Sequence, residues 1–106
     1  MLEEKRFQKS LEFLIAATRG GYNRGRIIHA LLEKPLNPNQ LSKQLNLDYK
    51  TVIHHLEKLR KDNIVVEKSS QYGGGFSLAF DGQKKQLFNE LWQKIGKSNK
   101  NPERSE

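Results

Sequence analysis

The chain of 106 residues contains no cysteine. This absence excludes disulfide scaffolds, zinc fingers and thiol redox sensing. Long apolar runs are also absent, since no stretch approaches the ~20 residues needed to span a bilayer. The first residues lack the apolar core of a secretion signal, so a cytoplasmic location is expected. We find no nucleophile elbow, His-Glu-x-x-His motif or dinucleotide-binding glycine motif, and therefore do not expect an enzyme.

The net charge of +7 favours a polyanionic partner. The excess is spread along the chain, because residues 47–80 carry five basic and four acidic side chains. Charge alone therefore predicts only weak, salt-sensitive affinity for DNA. A lysine-rich solvated surface would have the same composition. A chain of this length supports a single core and one domain.

A short amphipathic helix is predicted over residues 38–46. Leu41 and Leu45 lie four residues apart on one face of it, and proline at position 38 suits its first turn. Residues 46–48 then break the periodicity. Asp48 is a suitable N-cap for a following helix.

That following helix is predicted from Tyr49 to Asp62. Its apolar stripe consists of Val52, Leu56 and Leu59, and most of its polar residues lie off this stripe. Two helices joined by so short a turn, the second with a polar leading face, are typical of a helix-turn-helix. This pattern indicates contact with DNA.

A glycine-tipped hairpin is predicted next. Asn63 is a plausible helix stop, Ile64–Val66 is β-branched, and Phe76–Phe80 alternates as a strand does. Gly73–Gly75 lies between these runs. It predicts a mobile tip with positive φ angles, and not a phosphate-binding loop, because no Gly-Lys-Ser/Thr follows and strands flank it. A helix-turn-helix followed by such a hairpin is a winged helix.

Two further helices are predicted before this region. The first spans Glu3–Ala17, and the glycine pair at 20–21 would end it. The second spans Arg24–Lys34, with Asn23 as its N-cap.

A last helix is predicted from Gly82 to Ile95, with Asp81 as its cap and Gly96 as its stop. The polar tail after it is expected to be disordered. The predicted organisation is an N-terminal helix at 1–18, a winged helix-turn-helix at 19–80, a C-terminal helix at 81–96 and the tail at 97–106.

Residues 18–80 resemble the ArsR-type winged-helix regulators, especially the small versions common in archaea. The resemblance rests on the segments at 19–21, 26–31, 39–41, 47–59 and 64–66. It implies a mainly α fold with a small β-hairpin, and a homodimer that binds double-stranded DNA and regulates transcription. Many members sense soft metals through cysteine thiolates, which this chain lacks. We therefore predict no metal site and no cofactor.

In the resembling family the leading end of the second helix enters the major groove. Lys50 is suited to donate to guanine O6 or N7, or to phosphate, and Ile53 to meet a thymine methyl. His54 would donate when protonated or bind a base edge. The candidate DNA-binding residues are Tyr49, Lys50, Thr51, Ile53, His54, Lys43, Arg24, Arg26, Lys68, Gln71 and Tyr72.

Arg24 and Arg26 enter that set as backbone anchors, with surface salt bridges to Glu12 or Glu33 as the alternative. Lys68, Gln71 and Tyr72 would be the contacts of the wing at 68–76.

The pair His54-His55 does not predict a metal site. Adjacent residues on a helix point about 100° apart and cannot chelate one ion together. His55 is expected to be partly buried. Glu57 and Glu67 are interpreted as solvated surface residues.

The flanking helices carry a second apolar set, which the resemblance implies to be a two-fold dimer interface. Its members are Phe7, Leu11, Leu14, Leu87, Phe88, Leu91, Trp92 and Ile95. The alternative is core packing within one chain. Two-fold symmetry would place two reading helices about 34 Å apart over a pseudo-palindromic site.

Two other functions fit the same sequence. A nonspecific architectural DNA-binding protein would explain the dispersed charge. A winged-helix protein-interaction module of the transcription machinery would explain the weak net charge of residues 47–80 and the exposed Ile53.

Overall fold

The computed structural model describes residues 2–72 and 74–98, without the side chains of Tyr72, Lys97 and Ser98. Within these residues the chain forms five α-helices and one antiparallel pair of strands, which is a winged helix-turn-helix with flanking helices, as predicted. A π-helical turn, Phe13–Ala17, follows the first helix, and a 3-10 turn, Ser70–Tyr72, lies between the strands. The elements are α1 Leu2–Glu12, α2 Gly21–Leu31, α3 Pro38–Leu45, α4 Tyr49–Lys61, β1 Val65–Glu67, β2 Phe76–Leu78 and α5 Gln83–Ser98.

The described chain divides into two compact units. The central unit is Arg26–Ala79, and the terminal unit combines the segments before and after it. Each has its own buried apolar residues. Those of the central unit are Ile27, Ile28, Leu31, Leu36, Leu41, Val52, Leu56, Leu59, Ile64, Val65 and Phe76, and those of the terminal unit are Phe7, Leu11, Leu14, Ile15, Phe80, Phe88 and Ile95.

The last turn of the first predicted helix is π-helical and not α-helical. It buries Leu14 and Ile15 but leaves Phe13 60% exposed. A π turn contains one more residue than an α turn between hydrogen-bonded groups. The hydroxyl of Thr18 donates to the Phe13 carbonyl at 3.0 Å and to the Leu14 carbonyl at 3.3 Å. This hydroxyl supplies a partner to carbonyls at the end of the helix.

Helix α2 begins three residues earlier than predicted, so Asn23 lies inside it and is not its cap. Gly20 has a φ of +82°, and the N–H of Gly21 donates to the Thr18 carbonyl at 3.1 Å. A Cβ atom on Gly21 would lie 2.6 Å from the Ile15 carbonyl oxygen. The two glycines thus allow a tight joint at the start of the helix. The predicted end at Lys34 was also wrong, because the helix stops at Leu31.

Helix α3 is capped by Asn37. The Asn37 side chain accepts from the Gln40 N–H at 2.8 Å, and the Gln40 side chain accepts from the Asn37 N–H at 2.8 Å. This reciprocal pair is a capping box. Pro38 occupies the first turn, as predicted.

The two strands pair in the register Val65↔Leu78, Val66↔Ser77 and Glu67↔Phe76. β1 begins one residue later than predicted, and β2 is shorter. Leu36 adds a bridge that the sequence did not predict: its N–H donates to the Phe76 carbonyl at 3.0 Å, and the Phe76 N–H donates to the Leu36 carbonyl at 2.7 Å. This bridge joins the segment before α3 to the second strand.

Helix α5 continues through Gly96 to Ser98, so the predicted stop at Gly96 was wrong. The predicted tail overlaps this helix at residues 97 and 98, and its remainder, 99–106, lies outside the described residues. None of the helices in the described ranges is both long enough and apolar enough to cross a membrane.

Candidate nucleic-acid interface

A three-residue turn connects α3 to α4. Asn46 adopts the left-handed conformation with a φ of +56°, and its N–H donates to the Lys43 carbonyl at 3.4 Å. The Leu47 N–H donates to the Ser42 carbonyl at 3.0 Å, and the Ser42 hydroxyl donates to the Leu47 carbonyl. Asn tolerates the left-handed region better than most residues. The turn is therefore fixed by its own backbone and one side chain.

Asp48 caps α4, as predicted. Its Oδ2 atom accepts from the backbone N–H of Lys50 at 3.1 Å and of Thr51 at 3.4 Å. These contacts satisfy N–H groups that have no partner within the helix. They set the start of α4 at Tyr49. The helix ends at Lys61, one residue before the predicted end, and Asn63 follows with a φ of +60°.

Arg26 forms a hydrogen bond with the last residue of α3. Its Nη2 atom donates to the Leu45 carbonyl oxygen at 2.7 Å, and the residue is half-buried. The sequence predicted a phosphate anchor or a salt bridge at this position. The guanidinium also hydrogen-bonds a backbone carbonyl of the helix-turn-helix itself, which the sequence did not predict.

The inner face of α4 is formed by four buried residues, Val52, His55, Leu56 and Leu59. Helical geometry places four others on the opposite side, at successive spacings of four, three and four residues. All four are exposed. We call them the outer row: Lys50, His54, Glu57 and Lys61.

The predicted contact residues of α4 differ in exposure. Lys50 and His54 are exposed and belong to the outer row. Tyr49 is 47% exposed at the first position of the helix. Thr51 and Ile53 are half-buried on the flanks of the row. All five side chains lie on the first two turns of α4, away from its inner face.

One acidic residue interrupts the basic outer row. Glu57 accepts a hydrogen bond from Arg60, with 2.7 Å between Oε1 and Nη2. The pKa of Arg60 is raised above its ordinary value. This hydrogen bond is the largest cause, and the negative charge of Glu57 is the second. The pair reduces the net negative charge that Glu57 adds to this surface.

His55 is buried, with 6% of its surface exposed, and its ring lies 5.7 Å from that of His54. The partly buried role predicted for His55 is confirmed. Across the described ranges, no three His, Cys, Asp or Glu side chains lie where they would hold one metal ion.

The wing is a compact loop with its own hydrogen bonds. The Lys68 N–H donates to the Gly75 carbonyl at 2.7 Å, and the Gly74 N–H donates to the Ser69 carbonyl at 2.9 Å. Gly74 and Gly75 have positive φ angles, as predicted for the tip.

Lys68 and Gln71 on the wing are exposed, and so is Lys43 on α3. The side chain of Tyr72 and all of Gly73 lie outside what the structure describes. Three of the candidate contacts from outside α4 are therefore open to solvent.

Arg24 lies in the terminal unit and is only 2% exposed. Its Nε donates to the Leu14 carbonyl at 2.7 Å, and its Nη2 donates to the Thr18 hydroxyl and to the Arg19 carbonyl at 3.1 Å. Burial lowers the pKa of this guanidinium from its ordinary value. The sequence predicted a phosphate contact for Arg24, whereas in this structure its side chain is buried and hydrogen-bonded at the joint between α1 and α2.

The helix-turn-helix is also similar in sequence to a known protein family. Residues 23–67 match the family model of bacterial regulatory proteins of the arsR family. The matched segment contains α3, α4 and β1 entirely, and with them the outer row. This similarity supports a DNA-binding transcription regulator of the ArsR type, and favours it over an enzyme. A comparison with curated proteins found no match.

The eight apolar residues predicted for an ArsR-like dimer interface divide into two groups. Phe7, Leu11, Leu14, Phe88 and Ile95 are buried within one chain, whereas Leu87, Leu91 and Trp92 are half-buried. The Trp92 ring lies 5.2 Å from the ring of Tyr22 and stacks 5.9 Å from that of Phe88. The first group forms core, which was the alternative interpretation for all eight. The second group retains surface that a partner can cover.

Several residues that shape the candidate interface were not predicted from the sequence as part of it. The spacing of Asn37 and Gln40 is that of a capping box, and would have predicted the start of α3. Lys61 lies eleven residues after Lys50, a spacing that places both on one helical face. The bond from Arg26 to Leu45 has no such signal, because a carbonyl acceptor can belong to any residue.

Proposed function

We propose that this chain is a sequence-specific regulator of transcription that binds double-stranded DNA as a homodimer in the cytoplasm. The observation that carries the proposal is the exposed outer face of α4 in a helix-turn-helix similar to the arsR family. In this proposal α4 lies in the major groove, where side chains near the start of such a helix reach base edges. The resemblance of residues 18–80 to the small regulators common in archaea belongs to the same proposal.

Several roles follow for individual side chains. Lys50 and His54 donate to base edges or phosphates, and Ile53 meets a thymine methyl. Tyr49 and Thr51 contact the DNA backbone, or bases next to those that Lys50 and His54 contact. Lys43 and the wing residues Lys68, Gln71 and Tyr72 contact phosphates or the minor groove. The phosphate contacts orient the protein on the DNA, while the base contacts select the sequence.

The proposed dimer uses α1 and α5. Leu87, Leu91 and Trp92 on α5 are half-buried, and Phe13 directly after α1 is 60% exposed. Covering this apolar surface with a second copy would remove it from water. Two copies of α4 would then meet successive major-groove turns, about 34 Å apart, over a pseudo-palindromic site.

A fluorescence-anisotropy titration across a salt series tests the proposal. The full chain is titrated with duplex from the region upstream of its own gene, and with a scrambled duplex of equal length. Tighter binding to the native duplex at every salt concentration is the expected result. Equal binding with a steep salt dependence would instead favour an architectural protein.

A protein-interaction module is the second candidate. Tyr49 and Val66, both in the central unit, are 47% and 42% exposed. Exposed apolar side chains of this kind are suited to a protein partner. Absence of binding to either duplex at low salt would select this function over regulation through DNA.

A further inference from the structure

Glu57 occupies the middle of the outer row of α4. It is exposed, and it lies seven residues after Lys50 and three before Arg60. A helix rises 1.5 Å per residue, so Lys50 and Glu57 are roughly 10 Å apart along the axis, or about three base-pair steps. Recognition helices of homeodomains also contact bases with side chains up to seven positions apart. Glu57 is therefore within the part of the helix that reads a major groove.

A carboxylate in this position is unfavourable for general attraction to DNA. Phosphates repel it, and a helix that only needed basic charge would have no use for it. The salt bridge to Arg60 reduces this repulsion and orients the carboxylate, since Nη2 and Oε1 are 2.7 Å apart. Both side chains are about half exposed, at 45% for Arg60 and 50% for Glu57. A carboxylate accepts through two oxygens, so pairing with Arg60 leaves capacity for another donor.

The four bases offer a carboxylate different partners in the major groove. Cytosine presents only the N4 amino donor, guanine presents O6 and N7 acceptors, and thymine presents the O4 acceptor and a methyl group. Adenine presents a donor beside the N7 acceptor, which repels a carboxylate. Cytosine is thus the base that a glutamate favours.

We propose that Glu57 is a specificity-determining residue that accepts a hydrogen bond from cytosine N4, about three base pairs from the position that Lys50 contacts. This role rests on the proposed function, because it requires α4 to lie in the major groove. Glu57 increases discrimination between sequences while it lowers affinity for DNA in general. Arg60 is a positioning residue, which acts by orienting the carboxylate.

The test is selection of binding sites from a randomised duplex library by the full-length protein. Wild type is compared with Glu57→Gln, Glu57→Ala and a charge-matched control, Glu33→Gln, whose residue is exposed beyond the end of α2. Wild type should enrich cytosine at one position of the site. Glu57→Gln should change that preference to adenine, since glutamine pairs with adenine N6 and N7. Glu57→Ala should abolish it, with about a tenfold loss of discrimination at that position only.

Preferences at the other positions should persist in both Glu57 variants, which also shows that they fold. The control should retain the wild-type profile, while all three variants bind nonspecific DNA more tightly through the lost negative charge. A wild-type site whose base preferences are unchanged in both Glu57 variants would overturn this inference and leave the proposed function intact. A wild-type protein that enriches no sequence would overturn both.

Discussion

Arg26 Nη2 donates a hydrogen bond to the carbonyl oxygen of Leu45, 2.7 Å away and 19 residues along the chain. Leu45 is the last residue of α3, where carbonyl groups lack partners within the helix. A cation at this end also interacts favourably with the helix dipole. The contact fixes the end of α3, and with it the turn that leads into α4.

Replacing Arg26 by alanine should therefore change the stability of the fold more than the salt dependence of DNA binding. We expect the free energy of unfolding to fall by about 1–2 kcal/mol, because a charge-assisted hydrogen bond is lost. DNA affinity should fall as the turn loosens, with the slope of log Kd against log salt unchanged. Urea denaturation and anisotropy titrations measure the two effects.

Lys43→Ala is the control for Arg26, since Lys43 is exposed on α3. It should reduce the salt slope by about one without changing stability. If Arg26→Ala likewise reduced the salt slope without changing stability, Arg26 would be a phosphate anchor.

Asp48 caps α4 through two backbone N–H groups, and Asp48→Ala should cost about 1 kcal/mol of folding free energy. Asp48→Asn should retain most of that stability, since its side-chain oxygen still accepts. Thermal unfolding followed by circular dichroism measures both. Asp62→Ala, at the other end of the helix, should be neutral or slightly stabilising, because a negative charge is unfavourable there. Equal losses in the Asp48 and Asp62 variants would contradict a specific cap.

Gly25 allows the indole of Trp92 to pack directly against α2. A Cβ atom on Gly25 would lie 2.2 Å from Trp92 Cζ3, so Gly25→Ala should destabilise the protein by about 1–3 kcal/mol. Trp92 is the only tryptophan in the sequence, and its fluorescence should report the displaced ring.

Gly96→Ala is the matched control for Gly25, because a Cβ atom there would meet nothing within 4 Å. Alanine inside a helix should stabilise it by about 0.5–1 kcal/mol. If both variants proved equally stable, the close packing of Trp92 on α2 would be excluded.

The proposed dimer can be tested with Leu91→Glu. Leu91 is half-buried on α5, and a carboxylate buried at an interface is costly. Sedimentation velocity should show monomers, and DNA affinity should fall because two half-sites no longer bind as one unit. Val66→Glu, on the exposed face of β1, is the control and should remain dimeric. A Leu91 variant that sediments like wild type would argue against this surface.

Features determined by local chemistry were predictable from the sequence. The cap at Asp48, the proline in the first turn of α3 and the helix stop before Asn63 each depend on residues within a few positions. The apolar period of α4 likewise predicted its buried face, including His55. Such features require no knowledge of distant contacts.

Helix ends that depend on glycine were less predictable. Gly20 and Gly21 were interpreted only as the end of the first helix, but the start of α2 at Gly21 depends on a close approach to Ile15. Gly96 was interpreted as a stop, although glycine inside a helix costs only about 1 kcal/mol, which packing can offset.

Arginine partners were not predictable at all. Arg24 and Arg26 were predicted as backbone anchors because the start of this helix can approach a phosphate in winged helices, but they bond carbonyl oxygens 10 and 19 residues away. Carbonyl groups are common to all residues, so the sequence carries no sign of which one an arginine will meet.

The π-helical turn at Phe13–Ala17 has a consequence for the length of the chain. It accommodates one residue more than a regular α-helical turn, and its first residue, Phe13, is exposed to solvent. A chain with one residue deleted here would close an ordinary α turn and still bury the side chains of Leu14 and Ile15. This turn is therefore a position where related chains are expected to tolerate single-residue insertions and deletions.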